Sequence, residues 1–291
     1  MMKKGLKTTT TGSFLFSEIK IIVVLIALLP VSVMPAAGQS SAWELPEYKE
    51  SIRAFSLGAG TTGVRETYIS SLSYRGPSIT LMSDRWRNVS PDGTLGYSRS
   101  HVSVLLGRLL NTPGSGRLLD LTFDGYYSRA WNAVHTQSSD LLIGPSAMFR
   151  ISGLYNMSGS NNPANGEGYL SVGVCADYTW RFRVCNCPFA LQAGLFSPLA
   201  GLGLGPEYDQ SYWHVYRYAE YTSLIRFAWI GNNFSANGQV ALVCPAKHGR
   251  FRLGVNMDYL VNRLGKQLTR MNDTSFTVGY VRTFTIKDWK L

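Results

Sequence analysis

The chain has 291 residues, 28 Lys and Arg against 18 Asp and Glu, and a formal net charge of +10, with 45% of its residues apolar and 12% aromatic. That composition supports a full-sized folded domain and excludes a low-complexity or strongly acidic disordered chain. After residue 38 no apolar stretch approaches the ~20 residues that a membrane-spanning helix needs, which excludes a helical membrane protein.

The first 38 residues read as an export signal. Lys3, Lys4, Lys7 and Lys20 form a basic leader, and Ile21 to Met34 form an apolar run interrupted by Pro30. Ala36-Ala37-Gly38 is a small-x-small cleavage site, so the mature chain is expected to begin near Gln39, with a short lead over 39–51. A transmembrane anchor is the alternative, but this run is too short to span ~30 Å of hydrocarbon as a helix. Losing four lysines and Glu18 leaves a mature charge of +7, carried by 19 Arg and 5 Lys. A basic chain suggests nucleic acid, but export argues against it. Arginines spread along the chain suit the walls of a polar interior and the phosphates of lipid headgroups.

Beyond residue 51 the sequence alternates apolar and polar positions, the pattern of strands with one apolar and one wet face. About twelve strands are predicted, at 52–60, 65–75, 77–86, 99–110, 117–130, 139–152, 168–183, 188–198, 219–230, 236–245, 250–260 and 274–285. Arg75-Gly76-Pro77, Thr112 to Gly116 and Asn232-Asn233 carry turn residues. Residues 153–168, 199–217 and 261–273 read as irregular. The expected fold is all-β: an antiparallel, up-and-down, membrane-spanning β-barrel occupying 52–291.

The alternation assigns faces. Leu119, Leu121 and Phe123 oppose Asp120, Thr122 and Asp124; Leu170, Val172, Val174 and Ala176 oppose Ser171, Gly173, Cys175 and Asp177. Phe251, Leu253, Val255, Met257 and Tyr259 oppose Arg250, Arg252, Gly254, Asn256 and Asp258. With the apolar face on lipid, Asp120, Asp124, Asp177, Arg226, Arg250, Arg252 and Asp258 are the candidate lumen-lining residues. A basic residue on the lipid face near the midplane would cost about 2–4 kcal/mol.

The last predicted strand places Phe276, Val278, Tyr280 and Phe284 on one face. Thr277, Gly279 and Phe284 match the polar, glycine and late apolar positions of the C-terminal assembly signal of outer-membrane proteins; Arg282 at a usually apolar position and the seven residues 285–291 in place of a terminal aromatic depart from it. The mature chain resembles uncharacterised outer-membrane β-barrel proteins of Gram-negative bacteria. The resemblance implies residence in a bacterial outer membrane, with membrane lipid and the barrel assembly machinery as partners. It implies no defined activity.

Chemistry is sparsely marked. Cys175, Cys185, Cys187 and Cys244 permit disulfides, the best candidate joining Cys175 to Cys185 or Cys187 across one hairpin; no metal or other cofactor is expected. His101 has Ser100 and Ser103 nearby, and His214 lies near Glu207, Asp209 and Ser211, but neither sits in a hydrolase motif. Asp120 and Asp124 share a face ~13 Å apart, too far for a proton-sharing pair. Gly201 to Pro206 lacks the strand-to-helix context of a nucleotide loop. Three functions remain open: a narrow porin-like channel or structural barrel with an Arg/Asp-lined interior, a barrel enzyme acting on lipid or peptide at the rim, and a secreted soluble β-sandwich binding module; any small-molecule ligand is unknown.

Overall fold

The computed structural model describes residues 42–90, 96–159, 163–208, 210–246 and 249–285. The expected export signal lies outside them. Among the described residues no helix is long and apolar enough to cross a membrane. The strands are β1 (Glu50–Glu66), β2 (Ser70–Asn88), β3 (Tyr97–Asn111), β4 (Arg117–His135), β5 (Ser139–Asn156) and β6 (Ala164–Val184). They continue with β7 (Cys187–Leu204), β8 (Ile225–Trp229), β9 (Asn233–Ala246), β10 (Gly249–Asn262) and β11 (Thr269–Thr285). A helix, α1 (Tyr212–Tyr218), and a 3-10 turn (Tyr221–Leu224) precede β8.

Every neighbouring pair is antiparallel. The sheet runs β6-β5-β4-β3-β2-β1-β11-β10-β9-β7 and closes through β6–β7. This is a ten-stranded barrel, an even number as bacterial single-chain barrels have. β8 stands outside the ring and pairs only along Ala200–Leu204 of β7, past the stretch of β7 (Ala190–Phe196) that pairs with β9. The barrel strands are 14 to 21 residues long, against the ~9–11 that cross a bilayer.

The strand count corrects the expected twelve, for two local reasons. Residues 65–75 and 77–86 are not separated by a turn at Arg75-Gly76-Pro77. β1 runs on to Glu66, the hairpin turns at 67–69, and Pro77 lies within β2 opposite Thr61. Proline tolerates this position because the β2–β3 pairing skips Gly76 and Pro77, so no ladder bond is lost there. Gly76 is obligatory for a different reason: a Cβ there would lie 2.0 Å from the Arg108 carbonyl oxygen. The second reason is the stretch 219–230, which forms the 3-10 turn and the short β8 rather than a barrel strand. All three irregular stretches also shrink: β5 reaches Asn156 and β6 starts at Ala164, β7 extends through Leu204, and β10 reaches Asn262 while β11 starts at Thr269.

The period-two pattern decides the faces. On β4, Leu119, Leu121 and Phe123 point outward and are exposed, while Leu118, Asp120 and Thr122 are buried inside. Phe55, Leu57, Ile79, Leu81, Ile151, Leu170 and Val172 continue the apolar exterior around the ring. A soluble monomer rarely exposes so large a continuous apolar surface. Both chain ends of the barrel, the start of β1 and the end of β11, lie at one end, here the terminal end. The end of β2, the start of β3, the β4–β5 and β6–β7 turns, the end of β9 and the start of β10 lie there too. At 185–186 Cys185 and Asn186 both have positive φ (49° and 64°), the signature of a tight two-residue hairpin turn. The far end carries the longest excursion, 205–232.

Candidate functional site: a charged and closed barrel interior

Inward-facing side chains meet in stacked layers. Nearest the terminal end, Ala42 and Trp43 enter the barrel mouth and bury against Ile52, Ala54, Trp86, Ala190, Val243 and Val281. The Trp43 ring stands edge-on to Trp86 at 5.0 Å.

The next layer is an ion-pair cluster centred on Asp84 of β2. Arg99 Nη2 of β3 donates to Asp84 Oδ1 at 2.8 Å, and His101 Nδ1 lies 2.9 Å from the same oxygen. Arg252 Nη1 of β10 donates to Asp84 Oδ2 at 3.0 Å. Arg99 also pairs with Asp177 of β6, and Arg252 Nη2 donates to Gln239 Oε1 of β9 at 2.8 Å. Both guanidiniums lie over Trp86, at 5.1 and 5.6 Å from its centroid. Tyr126 is stacked between His101 and Phe196, each at 4.8 Å. The two arginines balance the two aspartates, as burial of charge demands.

The middle layer is built on Arg150 of β5, which is 1% exposed. It pairs with Asp124 of β4 and, across the barrel, with Asp258 of β10. Asp120 accepts from Thr122 Oγ1 at 3.1 Å, and Asp273 accepts from Thr62 at 2.6 Å and Ser78 at 2.9 Å. Towards the far end, Glu167 accepts from Tyr169 and Thr269, and Asn262 donates to the Tyr169 oxygen at 2.6 Å. Leu109, Leu118, Leu154, Leu260 and Met271 fill the space beside them.

The 205–224 excursion caps the far end. Tyr212 of α1 accepts from the Gly166 amide at 2.7 Å and donates to Asn165 Oδ1 at 2.9 Å, while Tyr68 donates to the Gln210 carbonyl at 3.1 Å. Gln267 Nε2 donates to the Pro206 carbonyl at 2.8 Å. Burial pushes the Tyr212 phenol up to about 12, with Tyr68, Glu167 and Glu66 adding to it. Burial, helped by Glu66, also raises Tyr68. α1 itself starts at Ser211, whose Oγ accepts from the His214 amide, and stops at Ala219 in a left-handed conformation.

Asp120, Asp124, Asp177, Arg252 and Asp258 therefore all point into the barrel. Arg250 lies at the terminal mouth, half-buried, and its Nη1 donates to Thr283 Oγ1 at 3.3 Å. Arg226 sits on β8 at the far end, where it donates to the Gly205 carbonyl at 2.6 Å, pairs with Glu207 at 3.3 Å and lines a small void with Glu167, Tyr169 and Asn262. The candidate disulfide is also corrected. All four cysteines are free. Cys175 faces Phe196 midway along β6–β7, whereas Cys187 faces Val184 at the turn; nine residues of strand separate them, ~30 Å. The Cys175 thiol donates to the Gly144 carbonyl instead.

Asp84, Trp86, Arg99 and Arg150 carry the network without having been singled out as candidates. Their signal was present in strand parity: Asp84 and Trp86, like Arg99 and His101, are two apart. Of the two histidines weighed for catalysis, His101 is 1% exposed and packed against Tyr126. His214 packs at a tilt against Tyr218 at 4.6 Å and lies 3.6 Å from Glu220. Outside the layers, an open cleft of about 980 Å³ at the terminal end is lined by Leu45, Tyr97, His135, Arg181 and Phe189 among others. Among the described residues, three small voids beside these layers measure about 20, 10 and 10 Å³.

Among solved structures the chain is similar in form to outer-membrane barrels. These include the outer membrane protease OmpT from Escherichia coli (TM-score 0.49, 10% identity, covering 84% of this chain and 100% of that one). The translocator domain of autotransporter NalP from Neisseria meningitidis gives a TM-score of 0.34 at 8% identity, over 92% and 95% of the two chains. An outer membrane channel from Pseudomonas putida F1 gives 0.35 at 10%, over 85% and 100%. Among curated proteins there is no match. Residues 21–290 match the model of a family described as "Protein of unknown function (DUF3316)", and the chain belongs to that family.

Proposed function

We propose that this protein is a sealed structural barrel of a bacterial outer membrane, with its terminal end towards the periplasm, and that it works through its two end surfaces and not as a conduit. The observation that carries this reading is the filled interior. Trp43 stops one mouth, the 205–224 excursion stops the other, and small voids beside the charged layers, about 20 and 10 Å³, approach the size of a single water. A conducting pore would have to break the Asp84–Arg99–Arg252 and Arg150–Asp258 pairs, and a lone buried charge is costly.

Membrane lipid is the partner of the apolar exterior, and the barrel assembly machinery is the partner of the last strand. Against the rim-enzyme reading, His101 is walled in by Tyr126 and Asp84. The test has two stages. Cell fractionation with gel mobility before and after boiling should place a heat-modifiable band in the outer membrane. Proteoliposomes containing that folded band should then resist swelling in small sugars. A detergent-independent soluble band would end the membrane reading, and rapid swelling would end the sealed one.

A further inference from the structure

The exterior wall near the terminal end carries an arrangement of charge that the barrel itself does not need. The register of β2, β1 and β11 sets their outward side chains in rows: Arg87–Ser51–Phe284, then Arg85–Arg53–Arg282, then Ser83–Phe55–Tyr280, then Leu81–Leu57–Val278. Three arginines thus stand directly opposite one another on adjacent strands ~4.8 Å apart. Like charges in that register repel and destabilise a sheet. Among the described residues no ion pair joins them to a carboxylate. Arg85 Nε donates to Ser51 Oγ at 2.9 Å, and Arg53 and Arg282 share the Phe284 ring, each 5.5 Å from its centroid. Arg53, Arg87 and Arg282 are exposed. One row further along, the wall turns apolar with Phe55 and Leu57 at 63% and 55% exposure.

We propose that Arg53, Arg85 and Arg282, with Arg87, bind the phosphate of an anionic phospholipid whose acyl chains lie along Phe55 and Leu57. Guanidiniums converging on one spot suit a phosphate, which can accept paired N–H bonds from more than one of them. A phosphate between them removes the repulsion that the bare row carries. The apolar rows begin a single pleat away, ~7 Å along the strand, which matches an amphiphile and is not used by a free anion. The site rests on the reading of the chain as a membrane barrel.

The test uses folded protein in mild detergent, with boiling-dependent gel mobility establishing that each variant is folded. Native mass spectrometry then measures retention of dioleoylphosphatidylglycerol and dioleoylphosphatidylcholine. Wild type should retain the anionic lipid in preference to the neutral one, and R53Q/R85Q/R282Q should lower that retention at least about tenfold. R53Q alone should lower it by a smaller factor, which covers failure of the triple variant to fold. R65Q/R270Q, removing the facing pair at the other end of β1 and β11, should leave it unchanged. Equal retention of both lipids, an unaffected R53Q, an equal loss in R65Q/R270Q, or displacement by millimolar inorganic phosphate alone would each overturn the site. A soluble band whose mobility is independent of boiling would instead overturn the membrane reading beneath it.

Discussion

Truncating Arg150 would leave Asp124 and Asp258 in the interior without the cation that joins them. Removing one member of a buried ion pair costs about 3–5 kcal/mol, so R150M is expected to lower the urea midpoint of the folded, heat-modifiable form by that equivalent; an unchanged midpoint would mean the charges are solvated in place. The cysteines make a second residue-scale prediction. Cys185, exposed in the β6–β7 turn, should react with a maleimide in the folded protein, while Cys175 and Cys244, both buried, should react only after unfolding. Mass analysis after labelling, with and without prior reduction, should give the same count, because there is no disulfide to open. At this scale strand parity made Asp120, Asp124, Asp177, Arg252 and Asp258 legible as inward positions. Their partners were not legible, because the pairs are remote in sequence: Arg150 and Asp258 are 108 residues apart and Arg252 and Asp84 are 168 apart. Only closure of the ring brings them together.

Between residues and molecule, the strands with strict alternation, such as β4, β6 and β10, were readable to within a few residues. The failures fall where a local signal competes with the sheet. Arg75-Gly76-Pro77 carries turn chemistry, yet the sheet absorbs it by skipping two ladder positions. Residues 212–230 are rich in aromatics and alternate in part, yet Ser211 caps a helix and Ala219 ends it before β8 begins. The resulting excursion also carries Arg226 on β8, which reaches the void lined by Glu167 and Asn262 at the far end. Its attachment through Tyr212 is testable by pH. The folded Tyr212 phenol sits at about 12, above the ~10 of an unfolded tyrosine. The stability this contributes is therefore complete below pH ~10 and lost as pH rises through about 12. Ultraviolet titration should show that the phenol removed by Y212F ionises late; a difference between the two curves centred near pH ~10 would place Tyr212 in solvent.

For the whole molecule, ten strands give a ring that side chains can fill, between the eight-stranded barrels that have little lumen and the 16-stranded ones that leave a channel. The fill here is layered: an aromatic stopper, an electroneutral cluster, a middle layer on Arg150, and a hydrogen-bonded far end under the cap. W43A removes the stopper where it meets Trp86 and should cost about 3–5 kcal/mol by the usual scale of aromatic truncation. It should not open a path, because the Asp84 cluster lies directly behind. The most direct measurement of the central claim is single-channel recording in planar bilayers, using folded protein whose insertion is verified independently. Silence in potassium chloride at either polarity, for wild type and for W43A alike, is the expected result. Reproducible conductance steps from the wild-type barrel would contradict the sealed interior.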